Sequence, residues 1–410
     1  MVRIEDDVQN PVTTALTDVL TTVRESTTDG QVADYIPELM LADPDHFGIS
    51  AAGVLGRIYH AGDCTARFTI QSVSKPFVYA LALSDLGADG VGARVGVEPS
   101  GEPFNAISLD ERGRPANPMI NAGAIVTTSL VTGSDKDERF ERIRAQLSRF
   151  AGRELELDTA VFESEKATGH RNRALAELTL AAGVLGSGVD DATEPYFKQC
   201  SLLVDTTDLA LMGATLANGG VHPLTGDRVV EEWVARDTLS LMLTCGMYDR
   251  SGDWIFRVGM PAKSGVGGGI VAVTPGQFGI GVFSPRLDRA GNSSRGVAAL
   301  RMLSQHFGLH LLDHPQLPAS PIEGILVRDE GESIIVRLRG EVNFVAAEQI
   351  VHEAIETVRR PADGILTLDF TSVTRVDQMA ARLLLATVAE ARANSFEIAF
   401  DDPSGVMFAG

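Results

Sequence analysis

Lysine is scarce in this chain of 410 residues: there are five, at positions 75, 136, 166, 198 and 263. Lysine and arginine together number 35 against 55 acidic residues, a net charge of −20. A surface so short of clustered cations excludes nucleic acid and anionic membrane as partners. Cysteine is rarer still. Cys64, Cys200 and Cys245 form no C-x-x-C pair and no even disulfide set, which fits a reducing compartment. No window offers the roughly eighteen apolar residues of a membrane span. The N-terminus, Met-Val-Arg-Ile-Glu-Asp-Asp, puts acids where a secretory leader carries its apolar core, so the expected location is the cytoplasm. Metal chemistry has equally little to draw on. Of the eight histidines, His306 and His310 are four apart in a helix-like run where packing is the expected role, and no metal site is expected. What remains is the composition of a soluble globular chain, 44% hydrophobic and 22% charged with a mean hydropathy of +0.06, long enough for two or three domains.

The longest coherent stretch runs from about residue 11 to 312. Apolar spacing predicts a helix over Pro11–Glu25, with proline in its first turn, and further helices near 137–151, 173–186, 206–218, 231–244 and 295–307. Strands are expected around Gly48–Val54, Ile58–His60, Phe68–Ile70, Gly269–Val273 and Phe278–Phe283, the last two forming a hairpin through Thr274-Pro275-Gly276. Strands at both ends with helices between them predict an α+β layout: one sheet assembled from early and late segments, and an inserted helical region. Three prolines between Pro315 and Pro321 mark a linker, which gives a first domain over 1–312, a linker over 313–321 and a second domain over 322–410. The second domain lacks lysine and reads β-β-α-β-α-β, with strands at 323–328, 333–339, 364–370 and 395–400 and helices at 344–359 and 378–392, a small α/β unit.

Two of the five lysines stand in patterned surroundings. Ser72-Val73-Ser74-Lys75 is the only Ser-x-x-Lys, and a helix from about Ser72 to Leu86 places its hydroxyl and amine on one face. A serine attacks at neutral pH only when a base takes its proton, and an amine is a base only when uncharged; burial or a second cation lowers a lysine pKa toward that range. The helix N-terminus favours negative charge developing near Ser72. The second motif, Pro261-Ala262-Lys263-Ser264-Gly265-Val266, runs through three glycines into a strand, where backbone N–H groups are able to approach a substrate as an oxyanion hole requires. Singly, one is a solvated surface pair and the other a turn. In this order they resemble the motifs of the penicillin-recognising serine acyl enzymes.

Residues 11–312 also carry the stretches Tyr35-Ile-Pro-Glu-Leu39, Gln71-Ser-Val-Ser-Lys75, Asn117-Pro-Met-Ile-Asn-Ala-Gly-Ala-Ile125, Ser164-Glu-Lys-Ala-Thr-Gly-His-Arg-Asn172, Tyr196-Phe-Lys-Gln-Cys-Ser201, Leu216-Ala-Asn-Gly-Gly220, Cys245-Gly-Met-Tyr-Asp249 and Pro261-Ala-Lys-Ser-Gly-Val266. Through these the chain resembles the serine-dependent glutaminases, which hydrolyse L-glutamine to L-glutamate and ammonia on a β-lactamase-like fold, an antiparallel sheet flanked by helices plus a helical region. The resemblance implies Ser72 as nucleophile, Lys75 as its proton acceptor and Tyr248 as a phenol relaying a proton to the leaving ammonia. It implies an oxyanion hole from the N–H groups of Ser72 and Val266, substrate contacts from Asn121, Glu165, Asn172, Tyr196 and Tyr35, and Lys263 as the second cation. No cofactor is implied, and a homo-oligomer is. The residue types suit a zwitterionic substrate: a buried α-ammonium needs an anion such as Glu165 beside neutral donors.

The second domain resembles STAS domains through Val336-Arg-Leu-Arg-Gly-Glu-Val342 and Leu368-Asp-Phe-Thr-Ser-Val-Thr-Arg-Val-Asp377. Where phosphoregulated members carry a serine after the aspartate, Gln378 follows Asp377, which opposes a phosphorylation switch. Docking, oligomerisation, ligand sensing and plain stabilisation remain open for it, and its partner is unknown. Two alternatives to a glutaminase stay open. One is another serine acyl hydrolase of the same fold, a β-lactamase or esterase, opposed by the lack of a Ser-Asp-Asn motif. The other is a non-catalytic glutamine-binding sensor acting through the STAS-like domain.

Overall fold

The structure, a computed structural model, describes residues 11–101, 109–312, 320–328, 333–356, 365–393 and 397–408. The chain divides into two compact units, Met1–His314 and Pro315–Gly410. Residues 313–319, most of the expected linker, lie outside the described residues.

In the first unit, helix α1 (Pro11–Ser26) buries Leu16, Val19, Leu20 and Val23, the i, i+3, i+4, i+7 stripe of an amphipathic helix. Strands β1 (Gly48–Gly53) and β2 (Ile58–Gly62) form a hairpin, and β3 (Phe68–Thr69) leads into a 3₁₀ turn at Gln71–Ser74 and helix α2 (Lys75–Gly92). A helical region follows: α3 (Asn121–Leu130), α4 (Lys136–Ala151), strand β4 (Glu156–Leu157), α5 (Thr159–Thr168), α6 (His170–Ala181), α7 (Val189–Cys200), strand β5 (Leu202–Val204), α8 (Thr206–Ala217), α9 (Glu232–Cys245) and α10 (Ser251–Arg257). Strands β6 (Ala262–Ser264), β7 (Gly269–Thr274) and β8 (Phe278–Phe283) and helix α11 (Ser294–Phe307) complete the unit.

The main sheet is antiparallel throughout, in the order β2-β1-β8-β7-β6, so the early hairpin pairs with the late strands across the β1–β8 register Gly48↔Phe283 to Gly53↔Phe278. One apolar cluster joins one sheet face to α1 and α11 through residues such as Val19, Ile49, Ile280 and Leu300; another joins the opposite side to α2, α4, α8 and α9 through Phe77, Leu147, Met212 and Val271. Helix α8 comes unusually close to β8. A Cβ on Gly279 would lie 2.1 Å from the Ala214 nitrogen and one on Gly281 would lie 2.2 Å from the Thr206 oxygen, so only glycine lets this helix seat the helical region on the sheet.

Helix α7 contains Pro195, which gives no N–H to the Asp191 carbonyl one turn back. Arg139 of α4, itself buried, supplies the donor instead: its Nη1 reaches the Asp191 oxygen at 2.8 Å. This substitution of a guanidinium for a backbone donor is why a proline-interrupted segment remains helical, and it ties α7 to α4.

The second unit is a four-stranded sheet of β9 (Ile322–Arg328), β10 (Ser333–Val342), β11 (Ile365–Val376) and β12 (Glu397–Asp401), in the order β12-β11-β10-β9. β9 pairs antiparallel with β10, and the other two ladders are parallel. Helices α12 (Phe344–Ile350) and α13 (Gln378–Ala393) join a core that includes Val336, Leu368, Phe370, Ala347 and Leu384. Asp377 accepts from the Ala380 N–H at 2.6 Å and so caps α13.

Differences from the sequence reading are local. The helix expected from Ser72 begins at Lys75, because Ser72 sits in the 3₁₀ turn. The segment around Phe68 joins a separate three-stranded sheet, β3-β5-β4, not the main one. Helices α3, α5, α7 and α10 were not expected, and 344–359 splits into α12 and a π-helical turn at Val351–Glu356, with 357–359 outside the described residues. His310 does not share a helix with His306: α11 ends at Phe307, and His310 Nε2 lies 3.0 Å from the Ile255 carbonyl against α10. No described helix is long and apolar enough to cross a membrane.

Candidate active site

The 3₁₀ turn is entered through Gln71 at φ 50°, one of two non-glycine residues in the left-handed region among those described. The other is Tyr248, at φ 57°. Such a backbone costs about 1–3 kcal/mol at each position and persists only where its surroundings over-determine it. Here both residues bracket Ser72: Gln71 precedes it in the chain, and the Tyr248 phenol shares a hydrogen bond with its side chain. Gly265 lets the loop after β6 press against the same turn, since a Cβ there would sit 3.0 Å from Val73 Cγ2, 3.1 Å from the Ile70 oxygen and 3.4 Å from the Ser72 nitrogen.

A cavity of about 300 Å³ opens at this turn. Tyr35, Ser72, Asn121, Glu165, Asn172, Tyr196 and Val266 all line it, side chains drawn from positions up to 231 residues apart in the chain (35 to 266). Of the residues singled out in the sequence, Lys75, Tyr248 and Lys263 stand behind the cavity instead of lining it.

Lys75 is buried, with 1% of its surface exposed. Its Nζ donates to Asn121 Oδ1 at 2.7 Å and to the Met119 carbonyl at 3.3 Å, while Asn121 Nδ2 donates to Asn172 Oδ1 at 3.0 Å. Burial lowers its pKa to about 8. Lys263 is buried as completely. Its Nζ donates to the carbonyls of Ser264 (2.5 Å) and Gly246 (3.1 Å) and lies 4.2 Å from the centre of the Tyr248 ring. Burial first, and then the charge of Lys75, hold its pKa well below the usual lysine value. The Tyr248 hydroxyl donates to the Ser264 carbonyl at 3.0 Å. Burial pushes its pKa up against the opposing hydrogen bond from Ser72, so it remains a phenol at neutral pH.

On the opposite wall, the Tyr35 hydroxyl donates to Glu165 Oε1 at 2.6 Å, with Gln71 Oε1 at 3.3 Å as a weaker second contact, although the tyrosine ring is half exposed. Burial raises the pKa of Glu165, while the hydrogen bonds of Tyr35 and Gln71 and the charge of Lys75 favour its carboxylate. A buried carboxylate facing a cavity is a receptor for a cation. Tyr196 is buried beside Cys200, with which it shares a hydrogen bond, and burial raises both pKa values, that of the thiol to about 12. Cys200 is therefore a thiol, not a nucleophilic thiolate.

Several lining residues escaped the sequence reading. Gln71 was visible only as the neighbour of Ser72. Cys200 follows Tyr196 by one helical turn, a spacing that marks it as a companion once α7 is known to be helical. The loop Asp288–Gly291, whose Asp288 side chain accepts from the N–H groups of Ala290 (2.8 Å) and Asn292 (3.0 Å), also borders the cavity, and its sequence signals a turn and nothing more. Among the described residues, no group of His, Cys, Asp or Glu is arranged to hold a metal ion.

Residues 30–312 match the family described as Glutaminase. The chain belongs to the glutaminase family. It is accordingly a hydrolase, and residues 325–409 match the family described as "Mlab, STAS domain". A glutaminase of Corynebacterium glutamicum is 44% identical over 399 residues, covering 97% of this chain and 95% of that protein. A glutaminase of Microcystis aeruginosa is 55% identical over 285 residues, 69% of this chain and 84% of its own. A solved structure described as "Crystal Structure Analysis of Mglu" superposes with a TM-score of 0.85 at 40% identity, covering 97% of this chain and all of the other.

Proposed function

We propose that this glutaminase hydrolyses free L-glutamine to L-glutamate and ammonia through a γ-glutamyl ester on Ser72. In this reading the Ser72 oxygen attacks the side-chain amide carbon, and its proton passes to uncharged Lys75. The N–H groups of Ser72 and Val266 bind the resulting oxyanion, and Tyr248 hands its proton to the departing ammonia and recovers one from protonated Lys75, which leaves the amine uncharged again. Water then cleaves the ester by the same route, which restores Ser72 and releases glutamate. Glu165 receives the α-ammonium; Asn121, Asn172, Tyr196 and Tyr35 supply neutral contacts. The observation that carries the proposal is Lys75, a lysine held beside the nucleophile's turn by an amide oxygen and a carbonyl, its pKa lowered by burial to about 8.

The Ser72–Tyr248 hydrogen bond favours a second route, in which Tyr248 relays the serine proton outward. The two separate by mutation of the amine: Lys75→Met abolishes the first route and leaves the relay, whereas Tyr248→Phe impairs both. Ammonia release from free L-glutamine by the full chain, beside Ser72→Ala and a glutamine amidated at its α-carboxylate, tests the whole reading. Release that survives Ser72→Ala rules out the ester. The proposal extends to a domain boundary within 313–321, to a cytoplasmic location and to a homo-oligomer, the last checked by sedimentation.

A further inference from the structure

The three lysines away from the cavity converge on one carboxylate. Glu194 of α7 receives Lys136 of α4 at 3.0 Å, Lys166 of α5 at 3.3 Å and Lys198, one turn along α7, at 3.6 Å. Lys198 also reaches Asp137 at 2.7 Å and lies 5.2 Å from the Phe140 ring of α4 and 5.7 Å from the Phe162 ring of α5; Lys166 lies 5.5 Å from that same Phe162 ring. Burial alone would raise the pKa of Glu194, yet its Lys136 hydrogen bond and the lysine charges hold it below the usual range, so it is a carboxylate throughout neutral pH.

The position of this cluster in the chain matters more than its size. Lys166 is the residue after Glu165, and Glu194 lies two before Tyr196. Each of the two helices thus turns one side chain into the cavity and a near neighbour outward to the cluster. The α5–α7 interface has apolar filling from Phe162, Tyr196 and Phe197, whose attraction is non-directional and so opposes separation more than sliding. A charge pair across the same interface opposes that sliding. Removing Glu194 would leave three ammonium groups with Asp137 and, for Lys136, Asp191 as nearby carboxylates, and their repulsion would loosen the hold of α5 on α7.

We propose that Glu194 is a positioning residue that sets the distance between Glu165 and Tyr196, and through it selectivity for the two charged groups of free glutamine. This rests on the reading of Glu165 and Tyr196 as substrate contacts. The test is steady-state kinetics of the full chain with L-glutamine. Glu194→Gln should raise KM about five- to tenfold with kcat within twofold, the signature of lost ground-state binding. Lys166→Gln, on the exposed side of the cluster, should raise KM in the same direction, and Lys166→Arg should restore it. Glu165→Gln is the reference. If it raises KM while Glu194→Gln and Lys166→Gln do not, the positioning role is overturned and the site reading stands; if Glu165→Gln also leaves KM unchanged, both fall. A parallel loss of kcat and melting temperature in Glu194→Gln, with Lys166→Gln unchanged, would assign Glu194 to folding alone and overturn the inference.

Discussion

Lys75 and Lys263 in the interior and Lys136, Lys166 and Lys198 near the surface are the same chemical group in opposite settings. The outer three meet carboxylates, and Glu194 raises the pKa of Lys136 through its hydrogen bond and charge. The inner two meet oxygens of amides, the Asn121 side chain and the carbonyls of Met119, Gly246 and Ser264, and burial lowers both pKa values. Neutral acceptors fix where an ammonium points without stabilising its charge as a carboxylate would. An amine held this way has a defined direction and is still able to lose its proton, which a base requires. An ion-paired lysine is held as firmly but cannot be neutralised, which suits a fastener.

Exchange of the inner charge breaks this contrast most severely. Lys75→Met should lower kcat about a thousandfold or more. Its melting temperature should stay close to that of the parent, because an apolar isostere of a buried ion is often neutral or stabilising. Equal loss of activity and fold would return Lys75 to a structural role. Lys263→Met should lower kcat less, by about ten- to a hundredfold. In the parent, kcat/KM should climb about tenfold per pH unit below the pKa near 8 and level off above it, and a curve flat from pH 6 to 9 would count against Lys75 as base. Folding follows the same sign. The folded pKa of Lys75 lies below the unfolded value of 10.5, so its share of stability rises between pH 8 and 10.5 and is lost as pH falls through 8, as denaturant titrations across that range should record. Smallest of all, Lys136→Gln should leave kcat within about twofold, as expected for an exposed partner of an ion pair.

What was legible in the sequence follows the same division. The inner lysines were visible because each stands in a short motif, and in a chain with five lysines the coincidence of Ser72-x-x-Lys75 with Lys263-Ser-Gly has weight. The sheet was legible from short strand-like runs such as Gly48–Val54 and Phe278–Phe283, since such signals are local. The outer cluster was not, because Lys136, Lys166, Glu194 and Lys198 become neighbours only when α4, α5 and α7 pack. Helix α7 itself was hidden by Pro195, whose cost is offset by Arg139 from 56 residues earlier, an interaction no local window contains. Asn121, Glu165, Asn172 and Tyr196 carry no pattern of their own as a set. They were reached through family resemblance, and the structure brings them to one cavity.

The left-handed bend at Gln71 has a further consequence for how this enzyme can change. Its conformation suits glycine, which would adopt it without strain, yet glycine has no amide to reach Tyr35 and would let the adjoining alcohol wander. Selection for heat tolerance and selection for turnover therefore pull on this single peptide in opposite directions, and a hardier descendant with glycine at 71 should be the slower one.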